Sequence, residues 1–280
     1  MTAFRPKMSE SGNGLYVYCV VPTTAACPVQ DVPGVAPDAG VEKLIDGGLT
    51  ALVSRVRFGE FGSDALKRNL ENLPWLQRTA YAHDAVLARA LGAEAVVPFR
   101  MCTIFADEAR VREMLNAERD MLLDALARLA RRAEWSIKMM IDSQRLEEAL
   151  RRRSRLPAGT GISGADEGAP GHAFFERKKL AQRSREHARS VARITAAQID
   201  AHLREHSVAS QALPPLRREL SGESGEMVLN AAYLVDRAAE QAFASEAREL
   251  AARHDDLAIR LTITGPWAPY NFVSIPKEAT

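Results

Sequence analysis

The chain has 280 residues, of which 46% are hydrophobic and 26% charged, a composition typical of a globular protein with one large domain or two modest ones. Its 37 basic and 36 acidic side chains give a formal net charge of +1, which excludes a global basic field for nucleic acid or an anionic membrane. No apolar run approaches the roughly 18 residues of a membrane span. Cys19, Cys27 and Cys102 cannot form a fully paired disulfide framework, so we expect reduced thiols in the cytoplasm.

The N-terminal part of the chain carries signals for two strands and a helix. Residues 15–21 and 49–56 are rich in β-branched and aromatic side chains, which predicts two strands on either side of a proline-rich loop at 22–40. Asn72 is placed to cap a helix that has Pro74 in its first turn. Apolar side chains recur along one face of this helix at Leu76, Ala80, His83, Leu87 and Leu91.

The following elements complete an N-terminal α+β lobe at residues 15–156. Residues 95–99 predict a short strand, and Asp107 predicts the start of a helix whose apolar stripe runs to Leu129. Residues 135–141 alternate between apolar and other side chains, which predicts another strand.

Residues 157–171 contain five glycines and two prolines, which predicts a flexible linker. Within it, residues 159–164 match the dinucleotide-binding pattern G-x-G-x-x-G. That pattern binds pyrophosphate only between a strand and the N-terminus of a helix. Here an arginine-rich stretch precedes the glycines and a proline follows them, so the linker hypothesis is favoured.

The C-terminal part, residues 172–275, begins with a segment at 172–206 that predicts one long helix. Its large apolar residues are sparse, so we expect it to pack as a coiled-coil-type helix against another helix or a partner. A strand at 227–235, a helix capped by Asp236 and a strand at 257–264 predict a ferredoxin-like β-α-β element. The prolines of the aromatic tail at 265–273 predict an extended backbone.

The sequence His202-Leu-Arg-Glu205-His206 matches H-x-x-E-H, a pattern of zinc hydrolases in which two histidines occupy one face of a helix. A catalytic zinc site also needs a third ligand and a water-excluding pocket. The surrounding helix is polar, and no downstream acidic residue is marked as the third ligand. A zinc-dependent hydrolase using His202, Glu205 and His206 is therefore the alternative function, and we expect no bound metal.

Three further features have ordinary structural interpretations. The basic run at 151–155 would suit RNA, but Glu147 and Glu148 partly neutralise it and no aromatic residue is interleaved. His83 lies on the apolar face of its helix, where a hydrogen-bonded core histidine is commoner than a catalyst. Arg100 would lower the pKa of the nearby Cys102 thiol, but no histidine is close enough in sequence to form a dyad with it.

Several blocks occur in the order of a known family and span nearly the whole chain. The most specific are Pro-Phe-Arg at residues 98–100 and Thr-Gly-Pro-Trp-x-Pro-Tyr-x-Phe at residues 264–272. The others lie at residues 15–21, 49–56, 83–87, 171–178 and 220–236. Together they resemble the F/L family of gas vesicle accessory proteins. Met101 and Cys102 stand where that family usually has Phe-Gly.

The resemblance implies a non-enzymatic, chaperone-like accessory protein that works in the cytoplasm and at the gas vesicle without a cofactor. Family members bind the small amphipathic shell protein, whose apolar face and strand edges must be kept from aggregating before it polymerises. The implied partners are the shell protein and other accessory proteins, with self-association also expected and no nucleic acid. The candidate partner-binding residues are Phe99, Arg100, Phe105, Trp267, Tyr270 and Phe272. For the tail aromatics, we favour a clamp on the last strand over direct contact with the partner.

Overall fold

The computed structural model describes residues 12–29, 31–36, 38–154, 170–215 and 225–273. The predicted linker and its glycine motif lie outside these residues, except for Pro170 and Gly171, which begin a helix. The chain divides into two compact units: one comprises the residues up to Glu134 and those from Pro266 onward, and the other is Trp135–Gly265.

This division differs from the predicted lobes at 15–156 and 172–275. The strand that begins at Arg132 pairs within the second of two sheets, and so belongs mainly with later residues. The tail residues Ala268 and Tyr270, in turn, pack in the core of the first unit. Both departures come from contacts between residues far apart in sequence, which local patterns do not reveal.

The first sheet contains β1 (Asn13–Pro22), β2 (Glu42–Asp46), β3 (Leu49–Arg57), β4 (Val97–Pro98) and β5 (Ile104–Phe105). Its order is β2-β3-β1-β4, with β5 also pairing with β1, and all of these pairs are antiparallel. The central strand β1 is buried over almost its whole length, as its continuous apolar run requires. The strands predicted at 15–21 and 49–56 are thereby confirmed.

The helices of the first unit are α1 (Phe58–Phe61), α2 (Ser63–Leu70), α3 (Leu73–Ala90), α4 (Glu108–Ala117) and α5 (Arg119–Leu129). The two caps predicted in this unit are confirmed: Asn72 Oδ1 accepts from Trp75 N at 3.2 Å, and Asp107 Oδ1 accepts from Arg110 N at 2.9 Å. The single helix predicted to run from Asp107 to Leu129 is wrong. Its backbone breaks at Glu118, where φ is −103° and ψ is 15°, so α4 and α5 are separate.

The second sheet contains β6 (Arg132–Ile141), β7 (Ala209–Ala212), β8 (Glu226–Asp236) and β9 (Ile259–Trp267), in the order β7-β8-β6-β9. Within the described residues, the helices that accompany it are α6 (Ser143–Ser154), α7 (Pro170–Glu205) and α8 (Glu240–Arg253). Because β8 and β9 both lie beside β6, the connection through α8 crosses from one side of β6 to the other. A 3-10 turn at Arg237–Ala239 precedes α8, so this helix begins later than the predicted start after Asp236.

Helix α7 buries a face made largely of alanine. Its buried residues recur at spacings of three and four, at Ala188, Ala192, Thr195, Ala196, Ile199 and Leu203. Alanine lets neighbouring backbones approach closely, and α7 contacts α6, β8 and α8. Ile194, a large apolar residue of the same helix, is instead 56% exposed. Among the described helices, α7 included, none is long and apolar enough to cross a bilayer.

The aromatic tail is not extended throughout, contrary to the prediction. Tyr270–Phe272 forms a 3-10 turn in which Phe272 N donates to Pro269 O at 3.1 Å. A proline lacks only the donor, so its carbonyl can still accept this bond. Upstream, Gly265 has a φ of +145°, a conformation that L side chains rarely adopt, which explains the glycine before Pro266.

Candidate functional site

A chain of polar side chains, which runs from buried Tyr16 and His83 to half-buried Tyr270, fixes the C-terminal tail within the first unit. Tyr16 Oη on β1 lies 2.9 Å from His83 Nδ1 on α3, and His83 Nε2 lies 2.7 Å from Tyr270 Oη. Cys102 N donates to Tyr16 Oη at 2.9 Å. A neutral imidazole fits both tyrosine contacts: with its hydrogen on Nε2, His83 donates to Tyr270 and accepts at Nδ1 from Tyr16.

Burial keeps this network uncharged. It lowers the pKa of His83 from 6.5 to about 4, and it raises the pKa values of Tyr16 and Tyr270 well above their ordinary value. His83 is only 1% exposed, which confirms the expectation of a hydrogen-bonded core histidine. At neutral pH the network consists of neutral donors and acceptors, so it is suited to holding the tail rather than to exchanging protons.

A second anchor holds the residue that follows Tyr270. Asn271 donates to both oxygens of the buried Glu134 carboxyl, from its backbone N at 2.8 Å and from its Nδ2 at 2.6 Å. Burial raises the pKa of Glu134, while the two bonds from Asn271 act in the opposite direction. The tail is therefore fixed on both sides of the peptide bond between Tyr270 and Asn271.

The six candidate partner-binding residues differ in how accessible they are. Trp267 is 46% exposed and Arg100 is also exposed, whereas Phe99 is buried at 4%. Phe105, Tyr270 and Phe272 are half-buried. The two tail aromatics therefore lie in different environments. Tyr270 packs against the core, as the clamp hypothesis expects, whereas Trp267 exposes a large part of its side chain to solvent.

Cys102 occupies a backbone conformation that favours glycine. Its φ is +65°, in the left-handed region, and its N–H bonds Tyr16. This explains in physical terms why glycine stands here in the family that the sequence resembles. Burial raises the pKa of the Cys102 thiol to about 11, so the lowering expected from Arg100 does not occur.

His202, His206 and Glu246 form a polar cluster at the end of α7. The two imidazole centroids are 4.9 Å apart, and His202 Nε2 lies 3.0 Å from Glu246 Oε2 on α8. Potential ligand atoms of all three residues lie within 4.8 Å of one another. The hydrolase hypothesis assigned a role to Glu205, which is exposed and is not part of this cluster. Glu246 was missed because it follows His206 by 40 residues and lies in an ordinary amphipathic helix.

The basic run ends α6 and is paired with acids. Arg151 bonds Glu147, Arg152 lies 4.0 Å from Glu148, and Arg153 bonds Asp256. A cleft of about 480 Å³ beside this helix mixes both signs of charge. Its charged lining residues are Arg145, Arg152, Arg260, Asp142, Glu148, Asp255 and Asp256. With no excess of positive charge here, the RNA-binding hypothesis loses its main support.

Comparison with known proteins gives a consistent result across the chain. The family model for gas vesicle synthesis protein GvpL/GvpF matches residues 14–274. Gas vesicle protein L of Streptomyces sp. (strain CB03234) is 34% identical over 235 residues, which cover 84% of this chain and 84% of the relative. Gas vesicle protein F of the same strain is 28% identical over 261 residues, which cover 92% of this chain and 98% of the relative.

The fold is also similar to crystal structures of GvpF. The GvpF structure from Anabaena sp. PCC7120 superposes with a TM-score of 0.68 at 19% identity, covering 95% of this chain and 98% of the other. The structure from Microcystis aeruginosa has a TM-score of 0.64 at 18% identity, covering 94% and 99%.

Proposed function

Because this chain belongs to the gas vesicle synthesis protein GvpL/GvpF family, we propose that it is a non-enzymatic accessory protein that binds the small amphipathic shell protein during gas vesicle assembly. The observation that carries this proposal is the family match over residues 14–274, which runs through the anchored aromatic tail. Other accessory proteins and a second copy of the chain are the further proposed partners. The proposed location is the cytoplasm and the gas vesicle.

The tail supports a specific contact surface. Trp267 is 46% exposed, and the hydrogen bonds of Tyr270 and Asn271 fix the backbone that carries it. A tryptophan held in this way loses little conformational entropy when a partner covers it. We assign direct contact to Trp267 and Arg100. We assign no direct contact to the less accessible candidates, which instead hold the surrounding structure in place: Phe99, Phe105, Tyr270 and Phe272.

The clusters of titratable side chains support a binding role over catalysis. Within the described residues, the His83 network is neutral, and the cluster of His202, His206 and Glu246 is half-buried or exposed. A hydrolytic site gains most of its electrostatic effect from excluding water, which an open helix end does not do.

The test is a pull-down of the shell protein encoded in the same gene cluster. We expect Trp267→Ala to abolish capture of the shell protein while its melting temperature stays within a few degrees of wild type. An exposed side chain contributes little to the core, whereas an interface tryptophan often carries about 2 kcal/mol or more of binding free energy.

The matched control is Tyr81→Ala, because Tyr81 is an aromatic residue of the same unit with 77% exposure. This control should capture the shell protein as well as wild type does. If the Trp267 variant also captured the shell protein normally, the assigned contact would be wrong. If wild type itself failed to capture it, the proposed partner would be wrong.

A further inference from the structure

The end of α7 and the middle of α8 bring three metal-binding side chains together. His202 and His206 are four residues apart, so their rings lie on one face of the helix end, with centroids 4.9 Å apart. Glu246 reaches the same place from α8, 3.0 Å from His202 Nε2. These residues are not part of the contact surface proposed for the shell protein.

The spacing of the group suits a tetrahedral ion. Zinc binds imidazole nitrogen and carboxylate oxygen at about 2.0–2.2 Å, so neighbouring ligand atoms in a tetrahedral site are about 3.3 Å apart. The His202–Glu246 pair is already near that separation, and all three ligand atoms lie within 4.8 Å of one another. His206 is exposed, so its ring can rotate toward the other two ligands without disturbing the core.

The local charges also favour a cation. Both histidines lie at the C-terminal end of α7, where the free carbonyl groups give the helix its negative pole. Glu246 adds a carboxylate, which is the anionic member of the ligand set. Two nearby cations are engaged elsewhere: Arg204 pairs with Asp200 at 2.7 Å, and Arg253 pairs with Glu249 at 3.3 Å.

We propose that His202, His206 and Glu246 form a Zn²⁺ site that joins the C-terminal end of α7 to α8. Two imidazoles and one carboxylate make a ligand set that zinc favours over magnesium or calcium. The fourth position faces solvent and would hold water. The role is a structural link between two helices that already pack together in the core and share the hydrogen bond between His202 and Glu246.

Isothermal titration of the tag-free, chelator-treated full chain with Zn²⁺ tests the proposal. Wild type should bind Zn²⁺ at this site, and its melting temperature should rise when Zn²⁺ is added. His202→Ala and His206→Ala should each weaken this binding by at least about 100-fold, since losing a group that only orients a ligand already costs roughly 10–100-fold. Glu246→Gln, which keeps the side-chain shape, should also weaken binding and remove the zinc-dependent rise in melting temperature.

The controls are His187→Ala and Glu205→Gln. His187 is an exposed histidine on α7 outside the cluster, and Glu205 is the acid that the H-x-x-E-H motif would select. Both should bind Zn²⁺ as wild type does, and without zinc all variants should melt close to wild type. The site is disproved if wild type binds no Zn²⁺ or if the cluster variants bind it as tightly as wild type. Equal loss of binding in His187→Ala would also disprove it.

Discussion

Cys102 stores conformational strain at a single residue. It is one of three described residues other than glycine with a positive φ, the others being Arg131 and Ala258. An L residue in the left-handed region costs about 1–2 kcal/mol, while glycine loses roughly 0.5–1 kcal/mol more backbone entropy on folding. The difference predicts that Cys102→Gly raises the free energy of unfolding by about 0.5–1 kcal/mol.

Urea denaturation of the variants measures this effect. Cys102→Val is the matched opposite, because a β-branched side chain tolerates a positive φ least, and it should lower the free energy of unfolding. A glycine variant less stable than wild type would show that the thiol makes contacts worth more than the backbone strain.

His83 makes the stability of the first unit depend on pH. The pKa of His83 is 6.5 when the chain is unfolded and about 4 when it is buried, so between these values the unfolded state binds more protons. The contribution of His83 to the free energy of unfolding is therefore fully present above pH 6.5. It is lost as the pH drops toward 4, a change of about 3 kcal/mol from this residue alone.

Unfolding free energies at pH 7, 6 and 5 should show this loss in wild type. In His83→Gln the slope over that range should be shallower, because glutamine does not titrate. His187→Gln removes an exposed histidine and should keep the wild-type slope. Identical slopes in wild type and His83→Gln would contradict the assignment of a neutral, buried His83.

At the scale of elements, the buried and exposed faces of α7 can be compared directly. Ala192 is fully buried in the alanine face, whereas Ile194, two residues along, is 56% exposed. Ala192→Leu should lower the free energy of unfolding by about 1–3 kcal/mol, because the close-packed face has no room for a larger side chain. Ile194→Ala should change it by less than about 0.5 kcal/mol.

Thermal or urea unfolding of both variants checks this pair. If the ranking reversed, with Ile194→Ala the more damaging, α7 would bury its large apolar residues rather than its alanines.

An element can be predicted from the sequence when the residues that determine it are neighbours in the chain. The caps at Asn72 and Asp107 and the buried run of β1 follow from neighbouring residues, so sequence patterns find them. The short, largely exposed edge strands β2 and β7 carry no such pattern and were not predicted. The alanine face of α7 is not marked by a regular stripe of large apolar residues, so the sequence pattern does not predict it.

The two side-chain clusters around His83 and His202 are also only partly predictable from the sequence. The helical position of His83 predicts a core histidine, but its partners Tyr16 and Tyr270 are 67 and 187 residues away in sequence. Glu246 joins His202 across 44 residues. Only the fold brings these groups together, whereas the aromatic tail could be identified from its composition alone.

At the scale of the whole molecule, the family match extends over both compact units. The division of residues between them follows from long-range pairing, with the tail contributing Ala268 and Tyr270 to the first core. The proposed accessory role in assembly therefore concerns both units, and Trp267 is the residue through which the first unit is proposed to contact the shell protein.

The most direct test of this account is the yield of gas vesicles in a host whose copy of this gene has been deleted. The account predicts that vesicles fail to form without the gene and that the wild-type and Tyr81→Ala chains restore them. The Trp267→Ala chain, accumulated to the same level, should not restore them. Normal vesicle yield in the deleted host would contradict a role in assembly, and full rescue by Trp267→Ala would contradict the proposed contact.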